Sequence, residues 1–185
     1  MHMKQRLFKW MMAIAIVSSV SVSCSKDDEE PDNEEELITT LRVTVVETGS
    51  AASSTFTFRD VDGPGGNPPG TFDSILLNAS RSYAVSLQFL NESVSPAEDI
   101  TEEVEEEDVD HQVYFEPASV AITALNLNAD RNGLPLGTNA TWNTGAAGTG
   151  SLRITLKHKP GAKAAGDPVS KGETDVEINF PARIR

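Results

Sequence analysis

From residue 39 onward apolar side chains recur at every second position, the spacing that turns them to one face of a strand. Leu41, Val43 and Val45 alternate with Arg42 and Thr44, and Phe56 and Phe58 with Thr55 and Thr57. The clearest run is 82–90, where Tyr83, Val85, Leu87 and Phe89 face one way and Ser82, Ala84, Ser86 and Gln88 the other. Val113 with Phe115, Val120 with Ile122, Leu152 with Ile154 and Leu156, and Val176 with Ile178 and Phe180 continue the pattern, while Ile75–Leu77 is too short to assign. Glycine and proline punctuate the intervals, as in DGPGGNPPG at 62–70, DRNG at 130–133, TGAAGTG at 144–150 and PGAKAAGDP at 160–168, and mark turns or loops. About seven to nine short strands over residues 38–185 predict an all-β, Ig-like antiparallel β-sandwich. A jelly roll is the alternative.

One helix interrupts the strands. Ser95 is placed to N-cap it, Pro96 suits the first helical position and Glu98 completes an S-x-x-E capping box, with Ile100 and Val104 forming a narrow apolar stripe. Acids early in this segment suit a helix N-terminus, whereas Glu105 to Asp108 oppose the dipole at the other end, so fraying is expected there. The helix reads either as a solvated surface element or as an acidic patch for a cationic partner or metal.

The N-terminus has a different pattern. Lys4, Arg6 and Lys9 precede an apolar run from Trp10 to Val17, and small residues follow up to Ser23, the layout of a signal peptide over residues 1–23. The run falls short of the roughly 20 apolar residues that span a bilayer, so cleavage is the expected outcome. Cys24 follows Ser23 directly and precedes SKDDEE. This resembles the bacterial lipoprotein signal, in which the cysteine is lipidated, with Ser21 standing where the usual lipobox has leucine. Residues 24–37 then read as a lipidated cysteine and an acidic tether, since DDEEPDNEEE at 27–36 cannot bury a core. The segment CSKDDE resembles the lysine-plus-acidic signal that sends Bacteroidota lipoproteins to the outer face of the outer membrane.

Charge sharpens this picture. The formal net charge is −13, which repels phosphate backbones and argues against nucleic acid as a partner. Eight acids sit in residues 27–36 and nine in 98–110. With those two segments, the signal and Lys26 of the tether set aside, 11 basic residues match the 11 remaining acids, so the folded body is close to neutral. Cys24 is the single cysteine, which excludes an internal disulfide and a cysteine-based zinc cage.

Candidate chemistry is sparse. His111 and His158 are the histidines left after signal cleavage, no G-x-S-x-G is present, and no G-x-G-x-x-G precedes a helix; a hydrolase or nucleotide enzyme is not indicated. Trp142 in TWN reads as a loop tryptophan used for packing rather than as a sugar platform. His158 shares strand phase with Leu152, Ile154 and Leu156, and His111 with Val113 and Phe115, so both imidazoles are expected to point inward at strand ends. With Asp108, Asp110 or Glu107 nearby, they form a candidate site for Zn or Cu; the alternative is that each caps the core rim and bonds locally. Asn128, Asp130 and Asn132, and separately Asp60 and Asp62, imitate calcium-loop spacing, although hairpin turns explain both. Asp73-Ser74-Ile75 resembles the O-glycosylation tripeptide of Bacteroidota envelope proteins, with Ser74 as acceptor.

Across most of residues 34–180 the chain resembles a family of small Bacteroidota cell-envelope lipoproteins. The blocks that carry the likeness are EEELITT, DVDGPGGN, LNESVSPAEDITEEVEEE, HQVYF, TGAAGTGSL, LKHKP and GETD. The resemblance implies an envelope lipoprotein and no catalytic activity. Similar chains sometimes carry the label of a type 1 periplasmic binding fold, but one helix cannot build that fold's two βαβ-rich lobes. The expected function is a noncatalytic binding or protein-interaction module on the outer membrane, lipid-anchored and surface-exposed, that contacts an outer-membrane receptor or transporter. Metal or metal-complex capture through His111 and His158, feeding such a transporter, and a passive structural role are the alternatives.

Overall fold

The computed structural model describes residues 37–185; the expected signal, Cys24 and nearly all of the tether lie outside the described residues. The alternating segments form strands β1 (Thr40–Glu47), β2 (Ser53–Arg59), β3 (Thr71–Phe72), β4 (Ile75–Leu77), β5 (Ser82–Asn91) and β6 (Glu98–Asp99). After helix α1 (Ile100–Glu106) come β7 (His111–Ala118), β8 (Ile122–Leu125), β9 (Asn139–Thr144), β10 (Gly148–His158) and β11 (Glu173–Ile184). They build the expected β-sandwich. One sheet has the order β3-β2-β1-β5-β9-β8, with β6 added on β5, and the other β4-β11-β10-β7.

Register follows from the apolar phase, because a slip by one residue would turn every core side chain outward. In the larger sheet Val43 lies between Phe56 and Leu87, and Leu41 between Phe58 and Phe89. In the smaller one Ile154 lies between Ile178 and Phe115. These inner faces meet in one core whose fully buried members include Leu41, Phe89, Trp142, Leu152, Ile154 and Phe180. The outer face of the larger sheet is polar, with Glu92 receiving Arg42 at 2.7 Å and also Arg59.

Three elements differ from the sequence reading. Ile75–Leu77 is a strand, and it pairs parallel with the end of β11, an exception to the antiparallel plan. Trp142 is not in a loop: β9 places it opposite Tyr83 and Ala124, fully buried, with Phe115 edge-on at 5.6 Å. The helix begins later than the Ser95 capping box implies. Glu98 and Asp99 pair with Asn91 and Leu90 as a strand, and the Asp99 side chain accepts the Thr101 N–H at 3.1 Å and is the N-cap. Ile100 and Val104 are buried as their spacing predicts, and the helix stops at Glu106, where no basic residue offsets its C-terminal carbonyls.

Candidate metal centre

The two inward-facing histidines meet. His111 opens β7 and His158 closes β10, and the ladder sets them directly opposite each other. Their rings stack with centroids 4.6 Å apart and planes 9° from parallel. His111 is fully buried. Its Nδ1 lies 3.2 Å from the Glu107 carbonyl oxygen, which has no proton to give, so Nδ1–H is the donor and a neutral ring keeps its lone pair on Nε2. That arrangement fixes both tautomer and ring orientation, as the backbone partners of metal-binding imidazoles do.

The lone pair at Nε2 faces a carboxylate: Asp175 Oδ2 stands 3.8 Å away, and neither side chain reaches solvent. Asp175 owes its place to a bulge. Along β10, Leu156 and Lys157 are consecutive, but their partners on β11 are Val176 and Thr174. Asp175 is therefore the extra residue, and the bulge re-aims it away from the outward direction that strict alternation gives it. Just before β11, Gly172 has a φ of 83°, and a Cβ there would lie 2.4 Å from the His158 carbonyl oxygen. Only glycine allows the chain to return this close to His158.

His111 Nε2 and His158 Nδ1 are both shut off from solvent and make no hydrogen bond among the described residues. Buried nitrogens without partners cost free energy, and a cation shared by them removes that cost. Glu107, His111 and His158 each offer one ligand atom, all within 4.8 Å of one another. Zinc sits about 2.1 Å from an imidazole nitrogen, so these atoms would have to draw closer together to hold an ion. Nitrogen donors suit Zn or Cu and not calcium, which takes oxygen ligands.

Of the carboxylates expected beside the histidines, Glu107 joins the group and the other two are engaged elsewhere. Asp108 binds Arg131 through its guanidinium at 2.7 Å and its backbone N–H at 2.9 Å. Asp110 Oδ1 accepts the Gly161 N–H at 2.9 Å. The calcium turns close on themselves. Asp130 Oδ1 accepts the N–H groups of Asn132 and Leu134 at 2.8 Å each, and its other oxygen meets the Lys163 ammonium at 2.8 Å. Asn128 Oδ1 accepts from Gly137 and Asn139, and Asp62 from the Asn67 backbone and side-chain amides. Asp60 lines a separate recess. Ser74 is exposed between β3 and β4, anchored by Asp73, whose side chain accepts the Thr57 N–H at 2.8 Å.

Burial pushes the His111 imidazole down from 6.5 to about 4, and His158 beside it acts the same way. The Glu107 carbonyl and Asp110 oppose this, and Lys163 adds to it. Between these two values the unfolded chain binds the proton that the folded metal-free chain refuses, so stability is fully present above pH 6.5 and falls as pH drops toward 4. The expected loss is about 3 kcal/mol from pH 7 to pH 4. Urea unfolding across that range tests it: His111→Gln should flatten the slope, and an unchanged slope in that variant would assign the titration to other groups.

Beyond the stack, buried lysines are the feature that the sequence reading missed. Lys159 is fully buried under the 160–172 loop, donating to Gln112 Oε1 at 2.9 Å and to the Tyr114 hydroxyl. Alternation offered a signal, since Lys157 and Lys159 are out of phase with His158 and take the outer face that this loop covers. Searches of protein-family models, of curated proteins and of solved structures find no match to this chain.

Proposed function

We propose that this protein is a lipid-anchored envelope protein whose β-sandwich is a noncatalytic module that captures a divalent transition metal, zinc or copper. The observation that carries the reading is the meeting of His111 and His158 with two buried ring nitrogens that lack hydrogen-bond partners among the described residues. Glu107 and Asp175 supply carboxylates beside them. The anchoring part rests on Cys24 and the acidic tether, and on the likeness to Bacteroidota envelope lipoproteins. Outer-membrane placement puts such a module where it can hand metal to a transporter.

Thermal unfolding of the mature chain with Zn, Cu or Ca tests this. Metal at a hundred times Kd adds about 2.7 kcal/mol, which raises Tm by about 5–10 °C in a domain of this size. Zn or Cu should produce the shift and Ca should not, and a His111→Ala/His158→Ala variant should lose it. An equal shift in that variant, or none in either protein, overturns the reading. Docking of a protein partner is the second reading, favoured by Glu102, Glu103 and Glu106, which α1 presents to solvent.

A further inference from the structure

Lys159 is a buried titratable group that metal capture does not use. Its side chain is closed to solvent under the 160–172 loop. Burial pushes the ammonium below its ordinary range; Asp167 opposes this, and the Lys171, Lys163 and Lys157 ammoniums add to it. Desolvation and neighbouring cations are the conditions that turn a lysine amine into a nucleophile.

This amine faces an amide. Its Nζ lies 2.9 Å from Gln112 Oε1, so the amide carbon Cδ, a bond of about 1.2 Å farther on, is no more than about 4.1 Å away. Bond formation starts from about 3–3.5 Å between reacting atoms, and Gln112 is itself buried, which keeps out competing water. A proton acceptor stands beside them: Asp167 Oδ2 is 3.7 Å from Nζ. Lys171 at 3.0 Å and the Ala164 N–H at 2.8 Å hold that carboxylate in place, and the Tyr114 hydroxyl donates to its backbone carbonyl at 2.9 Å.

We propose that Lys159 and Gln112 condense into an intramolecular amide that staples β7 to the end of β10. Asp167 takes one proton from the ammonium, and the freed Nζ electron pair attacks Gln112 Cδ. Nζ passes a second proton to Nε2, the Cδ–Nε2 bond breaks, and the departing ammonia carries the first proton off Asp167 as ammonium. Nothing is oxidised or reduced, and no co-reactant is needed. The neighbouring ammoniums offset the charge that Oε1 gains during the attack. Gln112 and Lys159 directly follow His111 and His158, so the staple fixes the strand ends that carry the stacked rings. The bond forms with or without metal, so the inference stands apart from metal capture.

Peptide mapping by tandem mass spectrometry of the folded mature chain, purified in chelator, tests this. The peptides that contain Gln112 and Lys159 should appear joined, lighter than their sum by one ammonia, with neither in free form. Gln112→Met should release the Lys159 peptide at its full mass. Asp167→Asn, when circular dichroism shows it folded, should leave both peptides free. The map of the unaltered protein decides the matter even if neither variant folds. Both peptides free at full mass in that map, Lys159 joined instead to Asp167 with loss of water, or complete joining in folded Asp167→Asn overturns the proposal.

Discussion

Lys163→Met should cost the domain about 3–5 kcal/mol, read as a fall in the urea midpoint, because it leaves the buried Asp130 carboxylate without its cation. The two side chains meet at 2.8 Å with 2% and 0% exposure. Lys163 also donates to the Asp108 carbonyl at 2.7 Å, so one ammonium ties the 160–172 loop to the turn at 130–133 and to the segment after α1. Burial pushes the Asp130 carboxyl up, while Lys163 and the Leu134 and Asn132 N–H groups hold it below the usual carboxylate range; without Lys163 it is a buried carboxylate that has lost its cation. Asp130→Asn in the Lys163→Met background keeps the acceptor for Asn132 and Leu134 and removes the stranded charge. The double variant should therefore be more stable than Lys163→Met alone. A loss under about 1 kcal/mol for the single variant, or a double variant less stable than the single, would show that the pair does not clamp these loops.

Trp142→Ala should cost about 3–5 kcal/mol, the range for deleting a fully buried large aromatic side chain, out of a total stability of about 5–15 kcal/mol. The indole fills the space between the sheets, with Phe115 edge-on at 5.6 Å. Trp142→Phe should lose much less, since Nε1 makes no hydrogen bond among the described residues and an aromatic ring still meets Phe115. Chemical denaturation of the two variants checks both statements. Equal losses would mean that the indole nitrogen, and not ring volume, holds β9 in place.

Trp142 also shows where the sequence was hard to read. Along Asn139–Thr144 the inward positions are Ala140, Trp142 and Thr144, a small, a large and a polar residue, so β9 lacks the aliphatic rhythm that makes β1, β5 and β10 plain. Ile75–Leu77 has only three residues, too few for a period to declare itself, and it earns its place by pairing with distant β11. The helix start was misplaced for a related reason. Ser95, Pro96 and Glu98 satisfy local capping rules, but pairing of β6 with β5 is non-local and prevails.

The candidate centre divides along the same line. Strand phase predicts that His111 and His158 point inward, and they do. That they stack depends on the β7–β10 register, which a single chain pattern does not encode. Asp175 was hidden more completely: alternation with Val176, Ile178 and Phe180 puts it on the outer face, and only the bulge opposite Leu156 and Lys157 brings it to His111. Asp108 and Asp110, nearer in sequence, are drawn off by Arg131 and Gly161. Proximity along the chain finds Glu107 but not Asp175, because strands join residues far apart in sequence.

The most direct test of metal capture at this centre is an imidazole-resolved nitrogen–proton spectrum of the mature chain, recorded before and after one equivalent of Zn. In the metal-free protein His111 should show a proton on Nδ1 and none on Nε2, as its bond to the Glu107 carbonyl requires. One equivalent of Zn should shift His111 Nε2 and a ring nitrogen of His158 together and to completion. Zn at saturating concentration that leaves both rings unchanged would contradict the account and leave the stack as a packing feature of the core rim.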